Sequence, residues 1–177
     1  MYKLVEAEDI VRVDPSLFGE ELEKILLREL RERYEGTVSR ELGGIVVLVQ
    51  RVVEVGEGEI YLGDGAPYYR VKFEALIFSA ENKELFKGIV EDVVRFGAFV
   101  NIGSFNALLH ISQIFNDPAV VDEKNKCIIN EKTGERLTVG DLVLVRVIGV
   151  SWAQKTADVR IAVTMKQPGL GKIGEKK

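Results

Sequence analysis

Nucleophilic catalysis needs a serine or cysteine beside a histidine and an acid, and this chain is poorly supplied for it. His110 is its only histidine and Cys127 its only cysteine. A single cysteine excludes an intramolecular disulfide and a thiolate metal cluster built from this chain. Carboxylates alone can hold Mg²⁺ for phosphoryl transfer. No Asp-x-Asp pair occurs, however, and Glu57, Glu59 and Asp64 fall in a glycine-rich stretch that reads as loop. No catalytic residue, metal ligand or cofactor is assigned.

That stretch, Gly56-Glu57-Gly58-Glu59-Ile60-Tyr61-Leu62-Gly63-Asp64-Gly65, is not a phosphate loop. Tyr61 stands where a G-x-G-x-x-G motif requires its third glycine, no Lys-Ser/Thr pair follows, and three acids would repel a phosphate. It reads as a hairpin tip. Glycines flanking the apolar Ile60, Tyr61 and Leu62 suit a tip that enters a partner's cleft.

The most informative segment is Arg95-Phe96-Gly97-Ala98-Phe99-Val100-Asn101-Ile102-Gly103. Side chains alternate along a strand, so Ala98, Val100 and Ile102 facing a core leave Phe99 outside. Phe96, three residues away, belongs on the other face unless a bulge at Gly97 restores it. With Leu109 and Ile111 inward on a neighbouring strand, His110 points outward. Phe96, Phe99 and His110 then form an exposed stacking platform, the feature with which single-stranded nucleic acid is held in a sequence-tolerant way; the alternative is that one or both rings close the barrel core. Arg160, Lys87, Arg95 and Lys155 are the cations placed to meet phosphates.

Around these residues stand the elements that must position them. Asp14-Pro15 reads as the start of a helix that runs to about Tyr34, with Phe18, Leu22, Leu26 and Leu30 on its core face and Gly36 as its stop. Strand-like runs at Tyr2–Val13, Thr37–Glu41, Ile45–Val55 and Tyr69–Ser79 surround it. Beyond Ser79, strands near 88–95, 98–103, 107–112, 142–150 and 159–165 give the five-strand count of a small Greek-key barrel of the OB type. The expected fold is an α+β domain, one helix on a small antiparallel sheet, in residues 1–80, then an all-β five-stranded OB-type barrel in 81–177. A hairpin is inserted in the barrel, with Cys127-Ile128-Ile129 turning through Lys132-Thr133-Gly134 to Arg136-Leu137.

The 177 residues are 46% apolar and 29% charged, the composition of a packed globular protein. No stretch approaches the roughly 20 apolar residues of a membrane span, so a soluble cytoplasmic protein is expected. The net charge of −4 argues at first against nucleic acid, but it is uneven: residues 1–80 carry 10 basic and 16 acidic side chains, residues 81–177 carry 14 and 12. An acidic module precedes a near-neutral one.

Lys87-Gly88-x-Val90, Phe96-Gly97-Ala98-Phe99-Val100, Leu109-His110-Ile111-Ser112, Gly140-Asp141-x-Val143 and Ile161-Ala162-Val163-Thr164-Met165-Lys166 together resemble the S1 RNA-binding domain. The first half, with Phe18-Gly19, the Gly56–Gly65 loop and Tyr69-x-Val71-x-Phe73-x-Ala75-x-Ile77-Phe78, resembles the RNA polymerase stalk-subunit family, whose members are the archaeal E-prime polypeptide and the eukaryotic seventh subunit. The resemblance implies a non-catalytic subunit of DNA-directed RNA polymerase that forms a stalk heterodimer with the small F-type stalk polypeptide. It implies that the tip, carried here by Gly56, Gly58, Ile60, Tyr61, Gly63 and Gly65, contacts the polymerase core. It also implies that the S1 face, carried by Phe96, Phe99, His110 and Arg160, holds emerging single-stranded RNA. One departure is Thr156, where many S1 domains have an acid four residues before the basic one. The rival expectation is a stand-alone S1-type RNA chaperone or translation factor.

Overall fold

The computed structural model describes residues 1–152 and 159–174. They form two compact units, one of Met1–Ser79 and one that takes Ala80–Ser151 and resumes at Val159.

In the first unit, strands β1 (Tyr2–Arg12), β2 (Val38–Ser39), β3 (Gly44–Ile60) and β4 (Pro67–Phe78) form an antiparallel sheet in the order β1-β4-β3-β2, with helix α1 (Leu22–Tyr34) packed on one face. Alternation along β4 buries Val71, Phe73, Ala75 and Ile77 beneath Ile25, Leu26 and Leu30 of α1. The helix expected from Asp14 is two pieces. Asp14 accepts from the Ser16 amide at 2.9 Å, as an N-cap should, but the turn it caps spans only Pro15–Leu17. Gly19 then takes a left-handed φ of +118° and breaks the run, so Phe18 is 60% exposed and not core.

β3 departs from ordinary strand geometry in an informative way. Its pairing with β4 shifts register four times, between Val46/Leu48, Val49/Arg51, Val52/Glu54 and Val55/Gly58. Each shift inserts an extra residue, so about three residues of β3 run against two of β4 and the side-chain period becomes three. Val46 and Val49 are buried, and Val52 and Val55 pack partly buried on the same core. The spacing V-x-x-V-x-x-V-x-x-V is the sequence trace of a strongly coiled strand.

The second unit is a barrel. β5 (Leu85–Val94), β6 (Gly97–Asn101), β7 (Asn106–His110), β11 (Leu142–Ser151) and β12 (Arg160–Thr164) are ordered β12-β7-β6-β5-β11, and β11–β12 pairing closes the ring. Among the described barrel strands only β7 and β12 pair in parallel. Val90, Val93, Ala98, Val100, Leu109, Val143, Val145, Ile161 and Val163 fill the interior. Between β7 and β11 the expected hairpin is present as β9 (Cys127–Asn130) and β10 (Arg136–Thr138), and β8 (Ala119–Asp122) adds a third strand to it. A short β13 (Gly171–Lys172) pairs with β11. No helix among the described residues is long and apolar enough to cross a membrane.

Candidate nucleic-acid interface and docking tip

The barrel face made by β5, β6, β7 and β12 carries two aromatic groups, Phe96, which is exposed, and Phe99, which is partly buried. Phe99 on β6 points outward while its neighbours Ala98 and Val100 are fully buried. Phe96 reaches it by a different route from the expected bulge at Gly97. β5 and β6 pair through to Val94↔Gly97 without a register shift at that end, so Arg95 and Phe96 are the two turn residues of a tight hairpin. From the turn the Phe96 ring meets Phe99 edge to face, with centroids 6.4 Å apart.

Gly97 holds the other side of this arrangement. It pairs with His110, and a β-carbon added there would stand 2.1 Å from the Leu109 carbonyl oxygen. Its φ of +153° is also one that side chains disfavour. The missing side chain lets β6 lie close against β7 and seats His110 beside the aromatic turn. His110 ends β7 and caps the short turn Ile111–Gln113: its Nδ1 accepts from the Ser112 amide at 3.2 Å and lies 2.8 Å from Ser112 Oγ. An accepting Nδ1 puts the ring proton on Nε2, leaving one donor for another group.

Arg160 opens β12, which pairs with β7 through Ala162↔Leu108. Alternation places Arg160 on the same face as Ala162, hence on the face of Leu108 and Phe99. Lys87 shares the outer face of β5 but stands two residues beyond Ile89, the partner of Asn101. That is about four residues, or roughly 13 Å, from the level of Phe99. Phe96, Phe99 and His110 are thus brought together, whereas Arg160 shares their face at the level of Asn106, four residues along from His110, and Lys87 lies beyond the group. Lys155 and Thr156 lie outside the described residues.

A bulge does occur on this face, at Glu91 of β5, between the pairs Val90↔Val100 and Asp92↔Phe99. It lets consecutive acids lie on the outer side between the buried Val90 and Val93. Glu91 accepts from Asn101 Nδ2 at 2.7 Å and Asn106 Nδ2 at 2.6 Å. Asp92 is bound by Lys126 Nζ at 2.8 Å and by the Val93 amide at 2.9 Å, which hold its carboxyl below the usual carboxylate range. Reading the sequence for aromatics and cations misses these groups. Their signal is Glu91-Asp92, two adjacent acids inside an alternating strand.

At one end of the sheet of the first unit, β3 and β4 continue as a two-stranded ribbon, so Gly56 and Gly58 are strand residues and the turn is confined to 61–66. Ile60 is 69% exposed and Leu62 fully so. The turn is less conformable than its glycines suggest. Asp64 accepts from Arg12 Nε at 2.8 Å, Arg12 Nη2 at 3.0 Å, Tyr68 Oη at 2.7 Å and the Ala66 amide at 3.1 Å. Those bonds, the Arg12 pair foremost, drive its carboxyl far below the ordinary range. Tyr61 packs edge to face on Tyr68 at 4.9 Å. Among the described residues no cluster of three His, Cys, Asp or Glu side chains has a geometry that could hold a metal ion.

Residues 8–65 match the SHS2 domain found in the N terminus of Rpb7p and Rpc25p, and residues 79–161 match the S1 RNA binding domain. DNA-directed RNA polymerase subunit Rpo7 of Saccharolobus shibatae is 39% identical over 98% of this chain and 96% of its own length. The chain belongs to the Rpo7 family. Rpo7 of Sulfolobus acidocaldarius is 37% identical over 98% of this chain and 93% of its own. The DNA-directed RNA polymerase II subunit rpb7 of Schizosaccharomyces pombe is 30% identical over 60% of this chain and 62% of its own. In this Rpo7-family chain, the aromatic platform lies in the S1 match, and the stapled tip lies at the end of the SHS2 match.

Proposed function

We propose that this chain is a non-catalytic subunit of a DNA-directed RNA polymerase that docks to the core enzyme by its tip and holds single-stranded RNA on its S1 face. The grouping of Phe96, Phe99 and His110 on one barrel face, with Arg160 farther along the same face, carries the RNA reading. The exposed Phe96 ring and the partly buried Phe99 ring supply stacking surface, worth about 1–3 kcal/mol per base. The Nε2–H of His110 and the Arg160 guanidinium supply donors for phosphate, sugar or base edges. Arg160 makes no ion pair among the described residues, so it keeps its charge available. Arg95 pairs with Glu123 at 2.8 Å but is 85% exposed, which leaves it able to exchange partners. Lys87 would serve only a strand running on past Phe99, and Lys155 remains a further candidate.

Docking by the tip is supported by Ile60, Tyr61 and Leu62, three large apolar side chains left in water on a turn that Asp64 holds in shape. Turn residues that cost solvation when free gain by burial in a partner. Gly56, Gly58, Gly63 and Gly65 shape the ribbon and turn around them. The small F-type stalk polypeptide completes the assembly as the heterodimer partner, and a cytoplasmic workplace follows from that assembly.

Purification of the tagged chain from native extract tests this reading. Recovery of the large polymerase subunits with one small partner supports it. Recovery of ribosomes, or of nothing, would favour a stand-alone S1-type RNA-binding protein.

A further inference from the structure

Asp92 stands directly across the ladder from Phe99, and Lys126 of the inserted sheet reaches back to cover it. Directly paired residues on one face lie about 5 Å apart, so a base stacked on Phe99 lies beside the Asp92 carboxylate, and a backbone that passes on the β5 side brings a phosphate close to it. The neighbouring acid, Glu91, is held among the described residues by the neutral amides of Asn101 and Asn106. Without Lys126 this end of the platform would present two adjacent negative charges to a polyanion.

Lys126 is placed with unusual care. It has φ +50°, one of two non-glycine residues among those described in a left-handed conformation. A glycine or asparagine would take that conformation with less strain. The turn that imposes it is over-determined: Asp122 accepts from the Lys124 and Asn125 amides at 3.1 Å each and from Asn125 Nδ2 at 2.6 Å. From there the Lys126 ammonium bonds Asp92 at 2.8 Å and the Val93 carbonyl at 3.2 Å. Both partners of the pair are about half exposed, so its contribution to stability is small. A strained residue whose contact adds little stability points to a functional reason.

We propose that Lys126 is a positioning residue of the RNA face, through which the inserted sheet neutralises Asp92 beside Phe99 and so lets the platform accept a phosphate backbone. The proposal rests on the stacking reading above and assigns the insertion an electrostatic task within it. Lys126 acts through Asp92 and need not touch RNA.

The test is single-stranded RNA binding by the full chain, read by fluorescence anisotropy at low and moderate salt. Lys126→Met is expected to weaken binding by about three- to tenfold at low salt, and the loss should shrink as salt screens the bared carboxylate. Asp92→Asn alone should bind as well as the parent or better. The double variant Lys126→Met/Asp92→Asn should regain parental affinity, which a merely structural lysine or a direct phosphate contact would not allow. A double variant as weak as Lys126→Met, or no loss in Lys126→Met, overturns the proposal. If Lys126→Met does not fold, a weakened Asp92→Asn overturns it instead, and an unweakened one supports it. Phe99→Ala in the same assay separates the two readings. No loss there removes the platform itself, whereas a loss there with none in Lys126→Met removes only the mask.

Discussion

The Phe96 and Phe99 rings meet at 6.4 Å with their planes 87° apart, one from a turn and one from the strand that follows it. Perpendicular rings do not stack flat on each other, so the pair keeps ring surface for a base. Phe99→Ala should therefore cost about 1–3 kcal/mol of single-stranded RNA affinity, roughly five- to 150-fold, and Phe96→Ala should cost less. His110→Ala should weaken binding as well, leaving the fold intact. Anisotropy titrations with a labelled oligonucleotide, alongside circular dichroism, check all three.

Gly97 ties that pair to His110. Gly97→Ala forces a β-carbon to 2.1 Å from the Leu109 carbonyl at a φ of +153°, so it should destabilise the barrel by about 2 kcal/mol or more. Gly65→Ala meets nothing within 4 Å and carries no such φ, and should be near neutral. Thermal melts of the two variants give the contrast directly.

How much of the fold and the site is legible in the sequence depends on period. The barrel strands keep alternation, so Ala98, Val100 and Leu109 declare themselves as core and Phe99 as surface. Where bulges change the count, alternation misleads: the extra residue sits at Glu91 and not at Gly97, and β3 runs at period three through Val46, Val49, Val52 and Val55. The expected helix start is too early because Asp14-Pro15 caps a real turn that Gly19 then ends. Lys126 is invisible in the sequence because its contact with Asp92 spans 34 residues and depends on how an insertion folds back.

Leu62 and Ile60 are the most exposed large apolar side chains of the tip. Leu62→Ala should weaken docking to core polymerase by up to about 2 kcal/mol, since burial of such a side chain contributes about that much. Its effect on the melting temperature should be negligible. Asp64→Ala removes the acceptor of four hydrogen bonds and should loosen the turn, weakening docking without deleting an apolar contact. Reconstitution of the polymerase with each variant, scored by co-elution, measures both.

Tyr34 donates to Asp9 at 2.8 Å, and desolvation together with that bond pushes its phenol up to about 12. A folded-state value above the unfolded one of about 10 means that the unfolded chain loses its proton first. The contribution is full below about pH 10 and is lost as pH rises from about 10 to about 12. With Tyr34 only partly buried, about 1 kcal/mol is expected after solvent screening. Chemical denaturation at about pH 9 and about pH 12 should show a smaller loss of stability for Tyr34→Phe than for the parent.

The central claim, that the S1 face meets RNA inside a polymerase, is tested most directly by photocrosslinking from position 96 in an assembled polymerase carrying a labelled transcript. Label should pass to the chain from position 96 and little should pass from Glu135, in the loop between β9 and β10. Equal labelling from both positions, or none from position 96, would contradict the claim.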